Sequence, residues 1–180
     1  MNLQGIASRL GPEHDARVRS LWASLAADCG LTWIAKTPIP HLSWVVGDGF
    51  KFESLSKELA GLARSQRPFV ARTTGLGVFT GEADIVLYLA LIKDEPLATF
   101  HRAVWEAATA HIETPSAYYA PAAWVPHITL AHGDVDPEGL ACAARLLARE
   151  NLHWTFPVTE FSLVYQEAET AEEYTRFQLE

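Results

Sequence analysis

Apolar residues recur every three or four positions in several stretches of the chain, a pattern typical of helices with one buried face. The first such stretch opens at Gly11-Pro12-Glu13, continues through Leu21 and Leu25, and reaches Gly30, a residue type common at helix ends. The last opens at Asp136-Pro137-Glu138, with Asp as the N-cap. The predicted helices cover residues 12–29, 52–64, 95–112 and 137–150.

Shorter apolar or alternating runs lie between these helices and predict strands. The run from Ile85 to Ile92 is almost entirely apolar, which favours a strand covered on both faces. Residues 113–126, rich in Pro, Ala and Tyr, are predicted to form a loop, and the acidic residues 167–173 a solvated turn. The predicted strands cover residues 1–10, 31–35, 41–46, 68–72, 76–80, 84–92, 127–131, 152–156, 158–165 and 174–179.

One short pattern occurs twice, 86 residues apart: residues 40–48 read PHLSWVVGD and residues 126–134 read PHITLAHGD. The same offset relates Val78-Phe79 to Val164-Tyr165, and the order of elements after each copy is helix then three strands. This repetition predicts an α+β fold with two antiparallel sheets related by a pseudo-twofold axis. We expect helices on the outer faces of the sheets and a central cleft between them.

The length fits a single bilobal domain covering residues 1–180. The lobes are predicted at about residues 31–92 and 120–180, with the N-terminal helix and the helix at 95–112 packed on them. We expect the two histidine strands to be central in their sheets and both imidazoles to point into the cleft.

Because side chains alternate along a strand, each copy of the pattern places an imidazole and a hydroxyl side by side, His41 with Ser43 and His127 with Thr129. An imidazole titrates near neutral pH and can take or give a proton, so two histidines brought together can supply a general base and a general acid. A hydroxyl can donate a hydrogen bond to an anionic oxygen. The residues alone leave open which histidine is the acid.

The stretches His41-Leu42-Ser43-Trp44 and His127-Ile128-Thr129-Leu130 resemble the paired HxTx motifs of the two-histidine (2H) phosphoesterase superfamily, and within it the 2′-5′ RNA ligase-like family of RNA 2′,3′-cyclic phosphodiesterases. The resemblance spans residues 35–180 and implies the bilobal fold of that family. It also implies metal-independent hydrolysis of 2′,3′-cyclic phosphate at RNA or nucleotide ends, with reversible 2′-5′ ligation as a further activity. By resemblance, His41 is the proton donor, His127 is the proton acceptor, and Ser43 and Thr129 bind phosphate.

The net charge of −8 argues against binding to long nucleic-acid duplexes, which requires many Lys and Arg contacts. We expect RNA termini or small nucleotides carrying a cyclic phosphate as partners, no cofactor, no metal, no membrane, and a monomer. Cys29 and Cys142 both fall in helical patterns, which favours free thiols in a reducing compartment over a disulfide. With no leader pattern and no long apolar stretch, the sequence predicts a cytoplasmic protein.

Aromatic and basic residues near the motifs are further candidates. Tyr118, Tyr119 and Trp124 lie in the loop before the second motif and could stack on a base, although packing is an equal alternative. We expect three tryptophans in the core: Trp33, Trp44 and Trp105. The other histidines are expected on the back of the strand (His132), on a helix flank or the surface (His101, His111), or in solvent (His14, His153). Lys36 and Arg72 could each place a positive charge near phosphate; the alternative is that they lie on the solvated surface.

Three other functions remain open at this point. One is a small-nucleotide phosphodiesterase of the ADP-ribose cyclic phosphate type, and another is a non-catalytic RNA-end binding module. The third is a metal-binding protein that uses His41, His127 and a third ligand. The sequence has no HxH, HxxxH or Cys/His cluster that would favour the metal site. The presence of both histidines and both hydroxyls favours an enzyme over a binding module.

Overall fold

A computed structural model describes residues 4–36, 39–81, 84–167 and 170–180. Over these ranges the chain forms four α-helices and nine β-strands. The helices are α1 (Pro12–Cys29), α2 (Phe52–Ala63), α3 (Glu95–Thr109) and α4 (Pro137–Leu147). The strands are β1 (Gln4–Arg9), β2 (His41–Phe50), β3 (Phe69–Thr80), β4 (Ile85–Leu91), β5 (Ile112–Pro115), β6 (His127–Ala131), β7 (Thr155–Val158), β8 (Glu160–Glu167) and β9 (Thr170–Gln178). Short 3₁₀ turns lie at Trp33–Lys36 and Ala117–Tyr119.

The four helices lie where the apolar periodicity predicts them, and their ends have local causes. Asp94 caps α3 by accepting a hydrogen bond from the backbone N–H of Leu97, and Asp136 caps α4 by accepting one from Gly139. At the end of α1, Gly30 has a φ of 70°, a left-handed conformation that favours glycine.

The strands form two antiparallel sheets, with the orders β5-β2-β1-β8-β9 and β6-β4-β3-β7. Helix α3 packs on β2 and β3, and α1 packs on β6 and α4. Without β5, each sheet is a series of four strands that starts with a histidine strand, β2 in one and β6 in the other. Strands β3 and β8 are third in their series, which explains why the 86-residue offset also relates Val78-Phe79 to Val164-Tyr165.

The pseudo-symmetry extends to an irregularity of strand pairing. In β2, Trp44 is an extra residue after Ser43, because Ser43 pairs with Ala7 while the next pair skips Trp44. In β6, Leu130 is an extra residue after Thr129 in the same way. Each bulge turns two consecutive side chains into the core, so both strands have the same burial pattern over their first five residues. The histidine and hydroxyl positions remain on the opposite, half-buried face.

The histidine strands are not central in their sheets, contrary to expectation. Strand β6 is an edge strand. Strand β5 covers β2 only from Gly47 to Phe50, so the His41 end of β2 has β1 as a sheet neighbour on one side alone. Strands β2 and β6 contact each other, which brings the two copies of the pattern together.

The two sheets do not follow the predicted lobe boundaries of 31–92 and 120–180. Strands β1, β2, β5, β8 and β9 build one sheet, so it takes strands from both ends and the middle of the chain. Strands β3, β4, β6 and β7 build the other. Each predicted lobe therefore contributes strands to both sheets, because the chain crosses between the sheets.

Three local predictions are wrong. The strand expected at 31–35 is replaced by the 3₁₀ turn at Trp33–Lys36, because the Asp134 carboxylate accepts hydrogen bonds from the backbone N–H groups of Thr32 (2.6 Å) and Trp33 (2.8 Å). The strands expected at 68–72 and 76–80 form one continuous strand, β3, with an irregularity in pairing near Gly75. The loop expected at 113–126 contains β5 and a 3₁₀ turn.

The acidic turn predicted at 167–173 is shorter than expected, since β8 extends to Glu167 and β9 begins at Thr170. Residues 168 and 169 lie outside the described residues.

Cys29 and Cys142 form a disulfide, so the prediction of free thiols is wrong. The two cysteines are separated by 113 residues in sequence but by 5.7 Å between Cα atoms, because the end of α1 packs beside α4. Helical spacing places each cysteine on its own helix but contains no information on which helices are neighbours. Along the described residues, no helix is both long enough and apolar enough to span a bilayer.

Candidate active site

His41 and His127 are the first residues of β2 and β6, and both are half-buried. Their strands contact each other, and the two imidazoles are close enough for the charge of His41 to affect the pKa of His127. The structure therefore brings the two repeated histidines into one site.

The same hydrogen bond fixes the ring of each histidine. The Nδ1 atom of His41 lies 2.6 Å from the carbonyl oxygen of Ile39, and Nδ1 of His127 lies 2.8 Å from that of Val125. Because a carbonyl only accepts, Nδ1 carries the hydrogen in both rings. The Nε2 atom is then the one that can gain or lose a proton, and its tautomer is set in the same way in both copies.

Burial lowers the pKa of both histidines. For His41, removal from water lowers the pKa and the hydrogen bond to Ile39 partly opposes this. For His127, burial again lowers the pKa, the bond to Val125 raises it, and the charge of His41 lowers it further. Protonating one ring thus disfavours protonating the other, a coupling that suits a pair in which one member is neutral and the other charged.

The hydroxyl residues of the two motifs are held from behind in matching ways. The indole N–H of Trp124 donates to the carbonyl oxygen of Ser43 over 3.2 Å, and that of Trp22 donates to the carbonyl oxygen of Thr129 over 3.1 Å. These two hydrogen bonds hold the backbone of Ser43 and Thr129 and do not involve their side-chain hydroxyls. Tyr119 also reaches the first motif, where a hydrogen bond with the Ser43 side chain lowers the Tyr119 pKa that burial raises.

An aromatic cluster of Phe79, Tyr88 and His127 forms the second-sheet side of the site. Tyr88 pairs with Thr129 across β4 and β6, so the two residues share a face. The Tyr88 ring stacks on Phe79 at 4.2 Å, and both rings contact the His127 imidazole, at 5.2 and 5.1 Å between centroids. The sequence did not predict this cluster. Its only local signal is the placement of Gly77 between strand-forming residues, since a glycine inside a strand often marks a close approach.

The three candidates for base stacking differ in their surroundings. Tyr118 is 84% exposed, and Tyr119 is half-buried against the core. Trp124 is only 2% exposed, and its ring lies parallel to that of His101 at 3.8 Å. A buried ring that already stacks on a histidine is poorly placed to stack on a base, so the structure favours the packing alternative for Trp124.

Several expectations for individual side chains also need correction. His101 is buried at 1% exposure, although a helix flank or the surface was expected. His14 is buried against Trp154 and Phe156 instead of facing solvent. Trp33 is 41% exposed, although a core position was expected.

Two tryptophans lie where the sequence predicts them. Trp44 is fully buried, and Trp105 packs on the core, as expected. Arg72 pairs with Asp94 at 3.0 Å, and the side chain of Lys36 lies outside the described residues. Over the described part of the chain, no group of three or more His, Cys, Asp or Glu residues is arranged to hold a metal ion.

Comparison with known proteins identifies the family. The sequence model of the 2′-5′ RNA ligase superfamily matches residues 11–170, most of the chain. The chain belongs to this superfamily. Its membership confirms the resemblance to the 2H phosphoesterases drawn from the two motifs. Among curated proteins, none matches the sequence.

Solved structures similar to this superfamily member support the fold. TT0787 of Thermus thermophilus is 21% identical, with a TM-score of 0.69 over 99% of this chain and 98% of that one. E. coli LigT complexed with ATP is 18% identical, with a TM-score of 0.60 over 99% and 98%. Usb1 of Kluyveromyces marxianus with uridine monophosphate is 13% identical, with a TM-score of 0.54 over the same shares. Because the sequence identities are low, the similarity to these three structures shows only that the chain shares their bilobal fold.

Proposed function

We propose that this protein is a metal-independent phosphodiesterase that hydrolyses 2′,3′-cyclic phosphate at RNA or nucleotide ends. The observation that carries the proposal is the pair His41 and His127. The two imidazoles have the same Nδ1 hydrogen bond, lie in one site, and are electrostatically coupled. The membership of a superfamily of RNA ligases and phosphoesterases supports the reaction class.

The reaction needs two proton transfers on opposite sides of phosphorus. The neutral Nε2 of His127 takes a proton from water as the water oxygen attacks, and the protonated Nε2 of His41 gives one to the departing sugar oxygen. The new P–O bond forms as the P–O bond to the sugar 2′ or 3′ oxygen breaks, and the product is a phosphomonoester. After the step the protons have exchanged places between the two rings, and exchange with water restores the starting state.

Ser43 and Thr129 are the proposed donors to the non-bridging oxygens. Each lies two residues after its histidine and on the same strand face, so the hydroxyls flank the position where the imidazoles would meet a phosphate. Their donated hydrogen bonds would strengthen as negative charge shifts during attack. The strand backbone behind each is already fixed by an indole, which limits the reorganisation needed during the step.

The ligands of structural relatives support a nucleotide or phosphate substrate. E. coli LigT has been solved in complexes with ATP, NADP⁺, 3′-AMP and phosphate, and K. marxianus Usb1 with uridine monophosphate. Ligation would be the same step with a 5′-hydroxyl in place of water: His127 would deprotonate the 5′-hydroxyl as its oxygen attacks phosphorus, and His41 would protonate the 3′ oxygen as its bond to phosphorus breaks, which leaves a 2′-5′ linkage. Cleavage of that linkage back to the cyclic phosphate exchanges the two roles, so we include reversible ligation in the proposal.

The test is turnover of uridine 2′,3′-cyclic phosphate by purified protein in excess chelator. His41→Ala and His127→Ala should each lower kcat/KM by about 10²–10⁴-fold, and the double variant should fall little further because both groups act in one step. Ser43→Ala and Thr129→Ala should each cost about 10–10³-fold. His153→Ala, at an exposed site, is the matched control. A folded His127→Ala protein with near wild-type turnover, or a strict need for added metal, contradicts the proposal.

A further inference from the structure

Arg9 lies directly opposite His41 in the pairing of β1 with β2. Residues opposite each other in an antiparallel pair share a face and lie about 5 Å apart, so Arg9 is on the site side of the first sheet. The neighbouring row, Ser43, Ala7 and Ser162, contains only small side chains. Ala7 and Ser162 are buried, and Ser43, beside His41, is half-buried on the same face.

The guanidinium of Arg9 is only loosely engaged. Its Nε lies 3.7 Å from a carboxylate oxygen of Glu173, longer than a hydrogen bond, and the side chain is 38% exposed. By contrast, Arg176 binds Glu173 at 3.0 Å and approaches Glu160 at 3.6 Å. Hydrogen bonds from Arg176 and Ser162 keep the pKa of Glu173 below its ordinary value despite partial burial. Arg176 is thus occupied, while Arg9 retains donors for another anion.

The second sheet has no equivalent cation at this position. The residue opposite His127 is Ala90, and the neighbouring row contains Tyr88. The pseudo-twofold axis therefore relates a side of the site that carries an arginine to an aromatic side. The charges around Arg9 balance, since Arg9 and Arg176 are matched by Glu160 and Glu173, so Arg9 would contribute hydrogen-bond donors and not a net positive field.

We propose that Arg9 binds a second phosphate of the substrate, the phosphodiester on the 5′ side of the nucleotide that carries the cyclic phosphate. This inference rests on the proposed function and specifies its substrate class: an oligonucleotide end, not a nucleoside cyclic phosphate alone. The backbone positions of Arg9 and His41 are one cross-strand step apart, and the guanidinium, which lies beside Glu173 on β9, would turn towards His41 to meet the second phosphate. Arginine suits this role because its planar fork matches two phosphate oxygens.

The test compares two substrates that differ by that phosphate, uridine 2′,3′-cyclic phosphate and the dinucleotide UpU ending in 2′,3′-cyclic phosphate. Arg9→Gln should lower kcat/KM for the dinucleotide by about 10- to 100-fold and leave the mononucleotide within about twofold. The dependence of log(kcat/KM) on log[salt] for the dinucleotide should become shallower by about 0.7. Arg9→Lys, which keeps a positive charge, should retain most of the wild-type salt dependence.

The matched control is Arg19→Gln, which removes another ion-paired arginine from the exposed face of α1 and changes the net charge equally. It should alter neither substrate. Equal losses on both substrates, or no loss on either, with Arg9→Gln would overturn the assignment of Arg9. Failure of the wild-type protein on both substrates would instead overturn the proposed function, so the two failures are distinguishable.

Discussion

Gly77 and Tyr88 lie opposite each other on β3 and β4, and the tyrosine ring covers the glycine so closely that an added Cβ would lie 2.2 Å from it. The same ring contacts the imidazole of His127. The absence of a side chain at Gly77 thus makes room for a ring that helps to hold His127. A backbone position on β3 is in this way linked to the orientation of a proposed proton acceptor.

The first prediction is that Gly77→Ala lowers activity through Tyr88. The new methyl must displace the ring, and His127 then loses one of its aromatic neighbours. We expect kcat/KM for a 2′,3′-cyclic nucleotide to fall by about 10–10²-fold, since small misplacements of catalytic groups are costly. Gly61→Ala is the control, because a Cβ there meets none of the described atoms within 4 Å. Unchanged activity in both Gly77→Ala and Tyr88→Ala would contradict this link.

The second prediction concerns the pH dependence of kcat/KM. One histidine must start neutral and the other protonated, so the profile should be bell-shaped. Because burial lowers the pKa of both His41 and His127, the alkaline limb should begin below pH 6.5 and the optimum should lie on the acidic side of that value. The two apparent pKa values of the profile belong to the coupled pair and not to one histidine each. An optimum above pH 7.5, in protein whose thermal melting is normal, would contradict this prediction, because it would show that burial does not lower the pKa values of the catalytic pair.

The third prediction concerns stability in acid. Burial, together with the charge of Lys93, lowers the pKa of His101 to about 4. In the unfolded chain the pKa is about 6.5, so below that pH the unfolded state binds a proton that the folded state does not. The free energy of unfolding should therefore be unaffected by His101 above pH 6.5 and should fall by about 3 kcal/mol by pH 4.

Urea denaturation at pH 7, 5.5 and 4.5 provides the measurement. His101→Phe keeps an aromatic ring beside Trp124 but cannot be protonated, so its stability should decline less steeply than that of the wild type. His153→Phe, at an exposed position, should retain the wild-type slope. Parallel slopes for the wild type and His101→Phe would mean that His101 is not kept neutral by the fold.

The fourth prediction is that the Cys29–Cys142 disulfide stabilises the protein. A cross-link between residues 113 positions apart restricts the unfolded chain strongly, and such bonds typically contribute about 2–4 kcal/mol. Cys142→Ser should lower the melting temperature, and a strong reductant should lower that of the wild type. The Cys29→Ser/Cys142→Ser double variant should not respond to reductant. Identical melting of the wild type with and without reductant would exclude a stabilising bond.

The sequence predicted the features that depend on local signals. Helix starts at Asp94 and Asp136 and the stop at Gly30 follow from backbone hydrogen bonding within a few residues. The repeated motif also predicted two related sheets, because two similar sequences adopt the same local geometry down to the bulges at Trp44 and Leu130.

Features that depend on which elements are neighbours could not be predicted. The stacking of Trp124 on His101 and the covering of Gly77 by Tyr88 join residues on different elements. Arg9 is beside His41 only through the antiparallel register of β1 and β2. A shift of that register by one residue would turn Arg9 to the opposite face, and no pattern along a single strand specifies the register of its partner.

The sheet that carries His41 is assembled from distant parts of the chain, with β1 and β2 completed by β8 and β9. On the ribosome, β1 and β2 emerge long before their sheet partners are synthesised. Until then, the edge of β1 that later pairs with β8 is unprotected. A nascent chain therefore holds its first histidine on an unfinished sheet, and the paired site can form only late in translation.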